Sequence, residues 1–393
     1  MKNGVDTIIG GIYNSFMPSL QKCKKIFQEQ GVKGIYNKLW YILTFGKEAP
    51  RKLILKTLFP YLLHLPRLIE VETTTRCHLK CVMCEHTYWN ETGRDMSYDE
   101  FVYIIGQFPS LKWVGMTGIG TSFLNKDFLR MIEYVKSKKI DVEIYDSFHL
   151  LTKDRAKELV RLKVDKIIAS IDAATAATYE KIRVGSNFEQ VKQNLSDFFD
   201  IRRAAGQIYP QVVFHYIISN YNLHETEKFI ELLYEVTRGK ERPSVFFTSI
   251  LHQYKEIEGL PTVIPEEIVA VTNRRALELN VLAAWNKNVP RRKADVCNCT
   301  YWSMPFIFVD GTVIPCCAGN EGNRREFQRK YAMGNIFQTP FKQIWKSLKY
   351  SQFRNRVHNN VVPVQCRYCP SFHVLPYRDD PEELQLWENG YVG

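Results

Sequence analysis

The sequence contains no long uninterrupted apolar run. Its most apolar stretch, Leu53 to Ile69, is broken by Lys56, Pro60, His64, Pro66 and Arg67, so no transmembrane span is expected. Near its start no charged segment leads into a continuous apolar core and a small-residue cleavage site, and no secretory signal is expected either. Cysteine is sparse, ten in 393 residues, which excludes a disulfide-stapled secreted scaffold. Nine of the ten gather at Cys77, Cys81 and Cys84, at Cys297 and Cys299, at Cys316 and Cys317, and at Cys366 and Cys369; this is how metal ligands cluster, and it implies a reducing, cytoplasmic compartment. Cys23, remote from the rest, reads as a small buried hydrophobe. No recognisable RNA-binding module accompanies the basic stretches, so nucleic acid is not an expected partner. With 45% apolar and 24% charged residues the chain is no disordered polymer, and its length suffices for two or three domains.

The net charge of +11 is uneven. Residues 1–66 hold ten Lys/Arg against three Asp/Glu, residues 67–286 hold 28 against 30, residues 287–370 hold 14 against four, and the tail one against five. A near-neutral body between two basic stretches suggests an anionic partner: by charge alone, an acidic cofactor, a phosphorylated substrate, nucleic acid or a membrane surface. The first stretch is helical in pattern. Ile8, Ile9, Ile12, Phe16 and Leu20 recur at helical spacing, and a second segment runs from Ile35 to Phe45. Such stripes pack on a following domain; combined with the local lysines, Trp40 and Tyr41 they also suit a helix lying on an anionic lipid surface, which makes peripheral membrane attachment the alternative.

From Leu68 the chain alternates β-rich runs with amphipathic helices. Strands are expected at Ile69 to Thr74, Trp113 to Thr117, Val142 to Tyr145, Lys166 to Ile171, Val212 to Ile218 and Val245 to Ile250. Helices are expected between them near Tyr98 to Gln107, Lys126 to Lys138, Lys153 to Leu162, Asn187 to Ala205 and His224 to Val236. This alternation argues for parallel strands with right-handed helical crossovers.

Directly after the first run stands Thr75-Arg76-Cys77-His78-Leu79-Lys80-Cys81-Val82-Met83-Cys84. Three soft thiols spaced C-x3-C-x2-C can converge on one zinc or iron–sulfur centre, yet cannot fill four positions around it. One position stays open or is filled from elsewhere, and an open position is what a catalytic metal uses. A zinc knuckle completed by His78 or His86 is the plain alternative.

At these residues the sequence resembles the radical S-adenosylmethionine (radical SAM) superfamily. The resemblance implies an α/β fold, a partial (β/α)6 barrel over residues 67–286 with its active site at the carboxyl ends of the strands, an N-terminal helical segment over residues 1–66, and a small C-terminal domain and tail over residues 287–393. It implies a [4Fe-4S] cluster on Cys77, Cys81 and Cys84 whose free iron chelates S-adenosylmethionine, with Met83 beside the adenine. In that family the reduced cluster passes one electron to the sulfonium, releasing a 5′-deoxyadenosyl radical; flavodoxin or ferredoxin is the implied donor. Gly118-Ile119-Gly120-Thr121-Ser122 occupies the place of the family's Gly-x-Gly-Glu-Pro segment, which contacts the methionine amino group, but has Thr121 and Ser122 where the family has Glu-Pro. Ser170 and Asp172 are implied at the ribose and Arg183 at the methionine carboxylate. His215, His252 and Tyr254 are substrate-cavity candidates, on or after the fifth and sixth strands.

The segment from about Arg291 to Pro370 carries the second signal. Phe306 to Ile314 reads as a hairpin with an Asp310-Gly311 turn. With Cys299 before it, Cys316 after it and Cys366-Arg367-Tyr368-Cys369 further on, the spacing is that of a four-thiol metal site. It resembles the SPASM or twitch extension, which implies an auxiliary [4Fe-4S] cluster on Cys299, Cys316, Cys366 and Cys369. Cys317 is an alternative to Cys316, Cys297 is left over, and a zinc ribbon is the competing reading of the same thiols.

The expected function is a radical SAM oxidoreductase that takes hydrogen from an unactivated carbon. The expected substrate is a lipid or cell-envelope metabolite, ranked slightly ahead of a peptide or protein side chain, with a sugar as a further alternative. The segment before residue 67 does not look like the strand-rich peptide-recognition module of many peptide-modifying relatives. From a different class, a non-catalytic iron–sulfur or zinc protein competes.

Overall fold

The structure is a computed structural model that describes residues 65–250, 255–286, 296, 299, 301–317, 324–366 and 369. The expected helices before Leu65, together with Cys23, His252, Tyr254, Cys297 and the acidic tail, lie outside the described residues. In chain order the strands are β1 (Leu68–Val71), β2 (Lys80–Cys81), β3 (Trp113–Met116), β4 (Asp141–Asp146), β5 (Lys166–Ser170), β6 (Arg183–Val184), β7 (Gln211–Ile218), β8 (Ser244–Ser249), β9 (Leu282–Asn286), β10 (Phe306–Ile307), β11 (Thr312–Ile314) and β12 (Gly334–Asn335). The helices are α1 (Tyr98–Gly106), α2 (Phe128–Ser137), α3 (Lys153–Arg161), α4 (Ala176–Ile182), α5 (Phe188–Ala204), α6 (Thr226–Val236), α7 (Glu266–Glu278), α8 (Arg325–Lys330), α9 (Phe341–Lys346) and α10 (Leu348–His358).

One sheet runs β12-β11-β10-β1-β3-β4-β5-β7-β8-β9, and all its neighbours from β10 to β9 are parallel. The six expected strands are β1, β3, β4, β5, β7 and β8, in that order, with helices between successive strands: a partial (β/α)6 barrel. Two elements were not expected, α7 and the seventh parallel strand β9, which adds to β8. A third, α4, lies in the segment read only as a motif.

The local chemistry explains the elements. Ile69, Val71, Val114 and Met116 are fully buried, as parallel strands covered on both faces require. β7 instead alternates: Phe214 and Tyr216 pack on Phe199 of α5 and Phe229 of α6, while His215 between them stacks on Phe246 of β8 at 4.3 Å. Helix starts are capped. Ser97 Oγ accepts the Glu100 N–H at 3.2 Å while Glu100 Oε2 accepts the Ser97 N–H at 2.8 Å, a reciprocal cap worth about 1 kcal/mol. Thr152, Thr175 and Asn187 cap α3, α4 and α5 by the first of these bonds alone, each side-chain oxygen accepting an N–H three residues on.

The C-terminal hairpin is part of the same sheet. β10 pairs in parallel with β1, Glu70 opposite Phe306 and Val71 opposite Ile307, and antiparallel with β11. Its turn needs glycine: Gly311 has φ +83°, its N–H donates to the Phe308 carbonyl at 2.9 Å, and Asp310 Oδ1 accepts the Thr312 N–H at 2.9 Å.

Candidate functional site

Past β1 the chain stays buried through Thr75 and then bends. The Arg76 N–H donates to Thr74 Oγ1 at 3.0 Å, and the Arg76 carbonyl accepts the Thr121 N–H at 2.8 Å, so the cysteine loop begins against the turn that follows β3. Cys81 is placed by the antiparallel ladder of β2 with β6, opposite Arg183. The Cys84 N–H donates to the Cys81 carbonyl at 3.0 Å, and Thr87 Oγ1 and Tyr88 Oη donate to the carbonyls of Cys81 and Val82 at 2.6 and 2.8 Å. This tight turn turns Cys81 and Cys84 toward Cys77.

The thiols share one apolar pocket. Met83, Leu79, Ile182, Ile250, Ile257 and Leu260 form a buried cluster with Cys81, against which Cys77 and Cys84 pack. Burial pushes the Cys81 thiol up to about 11 despite nearby Arg183, and burial together with Cys81 and Cys77 pushes Cys84 higher still. Such thiols stay protonated until a soft metal takes the proton's place. Among the described residues no three His, Cys, Asp or Glu side chains converge at the distances a single metal ion needs. The donor set is three soft thiols and no carboxylate, which fits an iron–sulfur cluster with one iron left for another ligand.

The turn after β3 forms the facing wall. A Cβ on Gly120 would lie 2.4 Å from the Thr74 carbonyl oxygen, and one on Gly118 would lie 2.5 Å from Glu72 Cγ. Only glycine lets the backbone come this close. Thr121, where the family has glutamate, puts its hydroxyl 3.2 Å from Cys77 Sγ and 3.2 Å from His78 Nδ1. His78 Nε2 in turn meets His149 Nδ1 at 2.7 Å, and burial with His149 lowers His78 to about 4. Both ring nitrogens of His78 are therefore engaged away from the thiols that a zinc knuckle would have it join. His149, just past β4, went unrecognised in the sequence; its position after a strand is the only signal it carries.

Asp172 and Arg183 meet each other. Asp172 is fully buried, its Oδ2 receives Arg183 Nε at 2.7 Å and Nη2 at 2.5 Å, and its Oδ1 accepts the Ile217 N–H at 2.8 Å. Both oxygens are thus occupied, which differs from the sequence reading of a carboxylate offered to ribose and an arginine offered separately. Arg183 Nη1 is 4.0 Å from Cys81 Sγ; burial opposes its charge, and Asp172 and Cys81 more than offset that. Ser170 ends β5 in register with His215, whose Nε2 meets Thr248 Oγ1 at 2.8 Å. Burial lowers His215 to about 4, so it stands as a neutral ring.

The second thiol group lies in the C-terminal segment. Cys316 follows β11, the Cys366 N–H donates to the Pro363 carbonyl at 2.9 Å, and the Cys369 N–H donates to the Cys366 carbonyl at 3.1 Å. Burial, then Cys316, Cys369 and Cys299, push Cys366 well above its ordinary value, so these thiols lie near enough to bear on one another. Cys317 packs instead against Phe306, Phe308 and Ile314. Near Cys316 lies Tyr350, with Arg354 over its ring, and their Oη and Nη1 are buried without a hydrogen-bond partner. Orphaned donors beside four thiols fit a cluster whose sulfurs accept hydrogen bonds.

Residues 71–233 match the model of the radical SAM superfamily, and residues 297–370 match the SPASM iron-sulfur cluster-binding domain. The chain belongs to the radical SAM superfamily. As a radical SAM protein with a SPASM domain it uses S-adenosylmethionine, a [4Fe-4S] cluster that binds it, and auxiliary iron–sulfur chemistry. It is 26% identical over 314 residues to the tungsten-containing aldehyde ferredoxin oxidoreductase cofactor-modifying protein of Pyrococcus furiosus, covering 76% of this chain and 86% of that one. It is 23% identical to the Fe-coproporphyrin III synthase of Methanosarcina barkeri, covering 70% and 72%. Its fold is similar to that of Streptococcus suis SuiB bound to S-adenosylmethionine, with a TM-score of 0.59 at 13% identity over 89% of this chain and 87% of SuiB. Among the described residues no helix is long and apolar enough to cross a membrane.

Proposed function

We propose that this radical SAM protein is a C–H activating enzyme acting on a small anionic metabolite or cofactor precursor, with its S-adenosylmethionine cluster on Cys77, Cys81 and Cys84 and one auxiliary cluster on Cys299, Cys316, Cys366 and Cys369. The observation that carries the reading is the unequal thiol count: three against a glycine turn, four closed on themselves. Bound at the three thiols, the reduced cluster and S-adenosylmethionine supply one-electron cleavage of the sulfonium and a carbon radical that takes hydrogen from the substrate. The protein's part is placement and exclusion of water. Gly118 and Gly120 let their turn pack directly on Glu72, Thr74 and Arg76 at the start of the cysteine loop, Thr121 offers a hydroxyl beside Cys77, and Met83 with Ile182, Ile250 and Ile257 keeps the thiols dry. Arg183, fixed by Asp172, offers its charge beside Cys81; Ser170 and the neutral His215 stand on neighbouring strands facing the same side.

The substrate class rests on two supports. Relatives covering more than two thirds of the chain are named for work on a cofactor and on a coproporphyrin, and residues 287–370 are strongly basic. The test is anaerobic: assay iron and sulfide, reduce with dithionite, and measure 5′-deoxyadenosine with and without a protease-treated metabolite extract. Stimulation that survives protease supports the reading, stimulation lost to protease moves it to a peptide, and two clusters without any cleavage make the protein an electron carrier. The lipid alternative rests on the basic stretch before residue 67 and is checked by co-sedimentation with anionic vesicles at low and high salt.

A further inference from the structure

Glu72, one residue past β1, is fully buried and holds three separate segments at once. Its Oε1 accepts the Ile119 N–H at 3.1 Å and Arg325 Nη2 at 2.7 Å, and its Oε2 accepts the Val309 N–H at 3.2 Å. Ile119 lies in the glycine turn, Val309 in the hairpin loop after β10, and Arg325 on α8 of the C-terminal domain. Gly118 packs directly on the carboxylate stem, where a Cβ would lie 2.9 Å from Glu72 Oε1. Arg325 is 1% exposed, its guanidinium carbon sits 3.8 Å from the Phe308 ring centroid, and its backbone N–H donates to Glu85, the residue after Cys84, at 2.8 Å. Its Nε and Nη1 are buried without hydrogen-bond partners, and Glu72 is the carboxylate its guanidinium meets directly. The flanking pairs of the same helix, Arg324 with Glu256 and Arg329 with Glu91 and Asp310, are exposed or half-exposed. They are weak by comparison.

We propose that Glu72 and Arg325 form a buried latch through which the seating of the C-terminal iron–sulfur domain sets the position of the Gly118–Gly120 turn. A buried carboxylate that loses the cation paired with it is driven to move. That movement takes the acceptor from the Ile119 N–H and disturbs the turn that rests on it. Glu72 and Arg325 are thus positioning residues, acting on the ligand wall through the Ile119 amide. Their bearing on S-adenosylmethionine rests on the assignment of this turn made above.

The test uses the full chain loaded with both clusters. Amide hydrogen exchange across residues 113–124, S-adenosylmethionine affinity by calorimetry and thermal melting are compared for the parent, Arg325→Met, Arg325→Lys, Glu72→Gln and, as a rim control, Arg329→Met. The latch predicts faster exchange at Ile119 in Arg325→Met and Glu72→Gln, with affinity lower by about tenfold, a usual size for coupling between sites. Arg329→Met should stay within about twofold of the parent, as an exposed pair implies. Where Arg325→Met fails to fold, Arg325→Lys, which keeps the charge but loses the Nη2–H that Glu72 accepts, is read instead. Parental exchange at Ile119 in a folded Arg325 variant overturns the latch. Faster exchange with parental affinity upholds the latch and overturns the assignment of the turn to S-adenosylmethionine.

Discussion

The two thiol sites are built from the same turn and differ in what closes them. In each, the amide of the last cysteine in a C-x2-C pair donates to the carbonyl of the first, at 3.0 Å for Cys84 to Cys81 and 3.1 Å for Cys369 to Cys366. Around the first, the third thiol is half-buried and the remaining side is a glycine turn and a threonine hydroxyl. Around the second, Cys316 and Cys299 bear on Cys366, and Tyr350, packed on Trp345, lies by Cys316. Charge separates them too. Buried Asp172–Arg183 and Asp146 flank the first, whereas Arg354, stacked over Trp345 and Tyr350, is the charge near the second. One motif thus serves either an open or a closed centre according to the fourth direction.

The comparison can be broken most severely at Cys81. Cys81→Ala leaves two thiols at the open site, and reductive cleavage of S-adenosylmethionine should disappear; 5′-deoxyadenosine at the parental rate would sink the assignment. Cys366→Ala acts on the closed site alone, and iron should fall by one cluster's worth, ~4 Fe per chain, with uncoupled cleavage still measurable. Cys317→Ala sharpens the contrast, since it should leave iron unchanged; a loss equal to that of Cys366→Ala would exchange the roles of Cys316 and Cys317.

The flanking charges give smaller effects. Arg183→Met leaves Asp172 buried and unpaired, and should cost about 3–5 kcal/mol in denaturant unfolding of the cluster-loaded chain. An unchanged midpoint would mean that the pair is not buried in solution. Asp146 supplies a pH test. Burial raises it from 3.8 to about 7, the Phe148 N–H donating to its Oδ1 at 2.6 Å. Because the folded value lies above the unfolded one, its destabilising effect is absent below about pH 4, grows through pH 7 and is constant above. Asp146→Asn keeps the acceptor and loses the ionisation, so its stability gain over the parent should rise from near zero at pH 4 to about 2–4 kcal/mol at pH 8. A difference independent of pH would show that Asp146 is solvated.

The six barrel strands were legible because each is an apolar run bounded by polar turns, and buried parallel strands leave that mark. β9 and α7 left none. β9 alternates only between exposed and half-buried, and of α7 only Thr272 and Ala276 are buried, so neither carries an apolar face long enough to read. The thiol spacings pointed to both centres, yet nothing in the order Cys316-Cys317 says which side chain turns toward Cys366; Cys316 bears on Cys366, and Cys317 packs on the cluster of Phe306 and Phe308. Asp172 and Arg183 were read as two separate ligand contacts because their pairing depends on the ladder of β2 with β6, formed by residues about a hundred positions apart. Glu72 with Arg325 was invisible for the same reason, at a still greater separation.

The parallel pairing of β1 with β10 has a consequence for how the molecule comes into being. Residues 70 and 71 acquire their outer partners only when residues 306 and 307 have emerged from the ribosome. Until then Leu68, Ile69 and Val71 present an apolar strand with one row of amides and carbonyls unmatched, a template for another chain. A nascent barrel is therefore vulnerable for most of its synthesis, and the C-terminal hairpin ends that interval. A fragment cut before Phe306 would keep the vulnerability for good, accumulating as aggregate however well its six strands are formed.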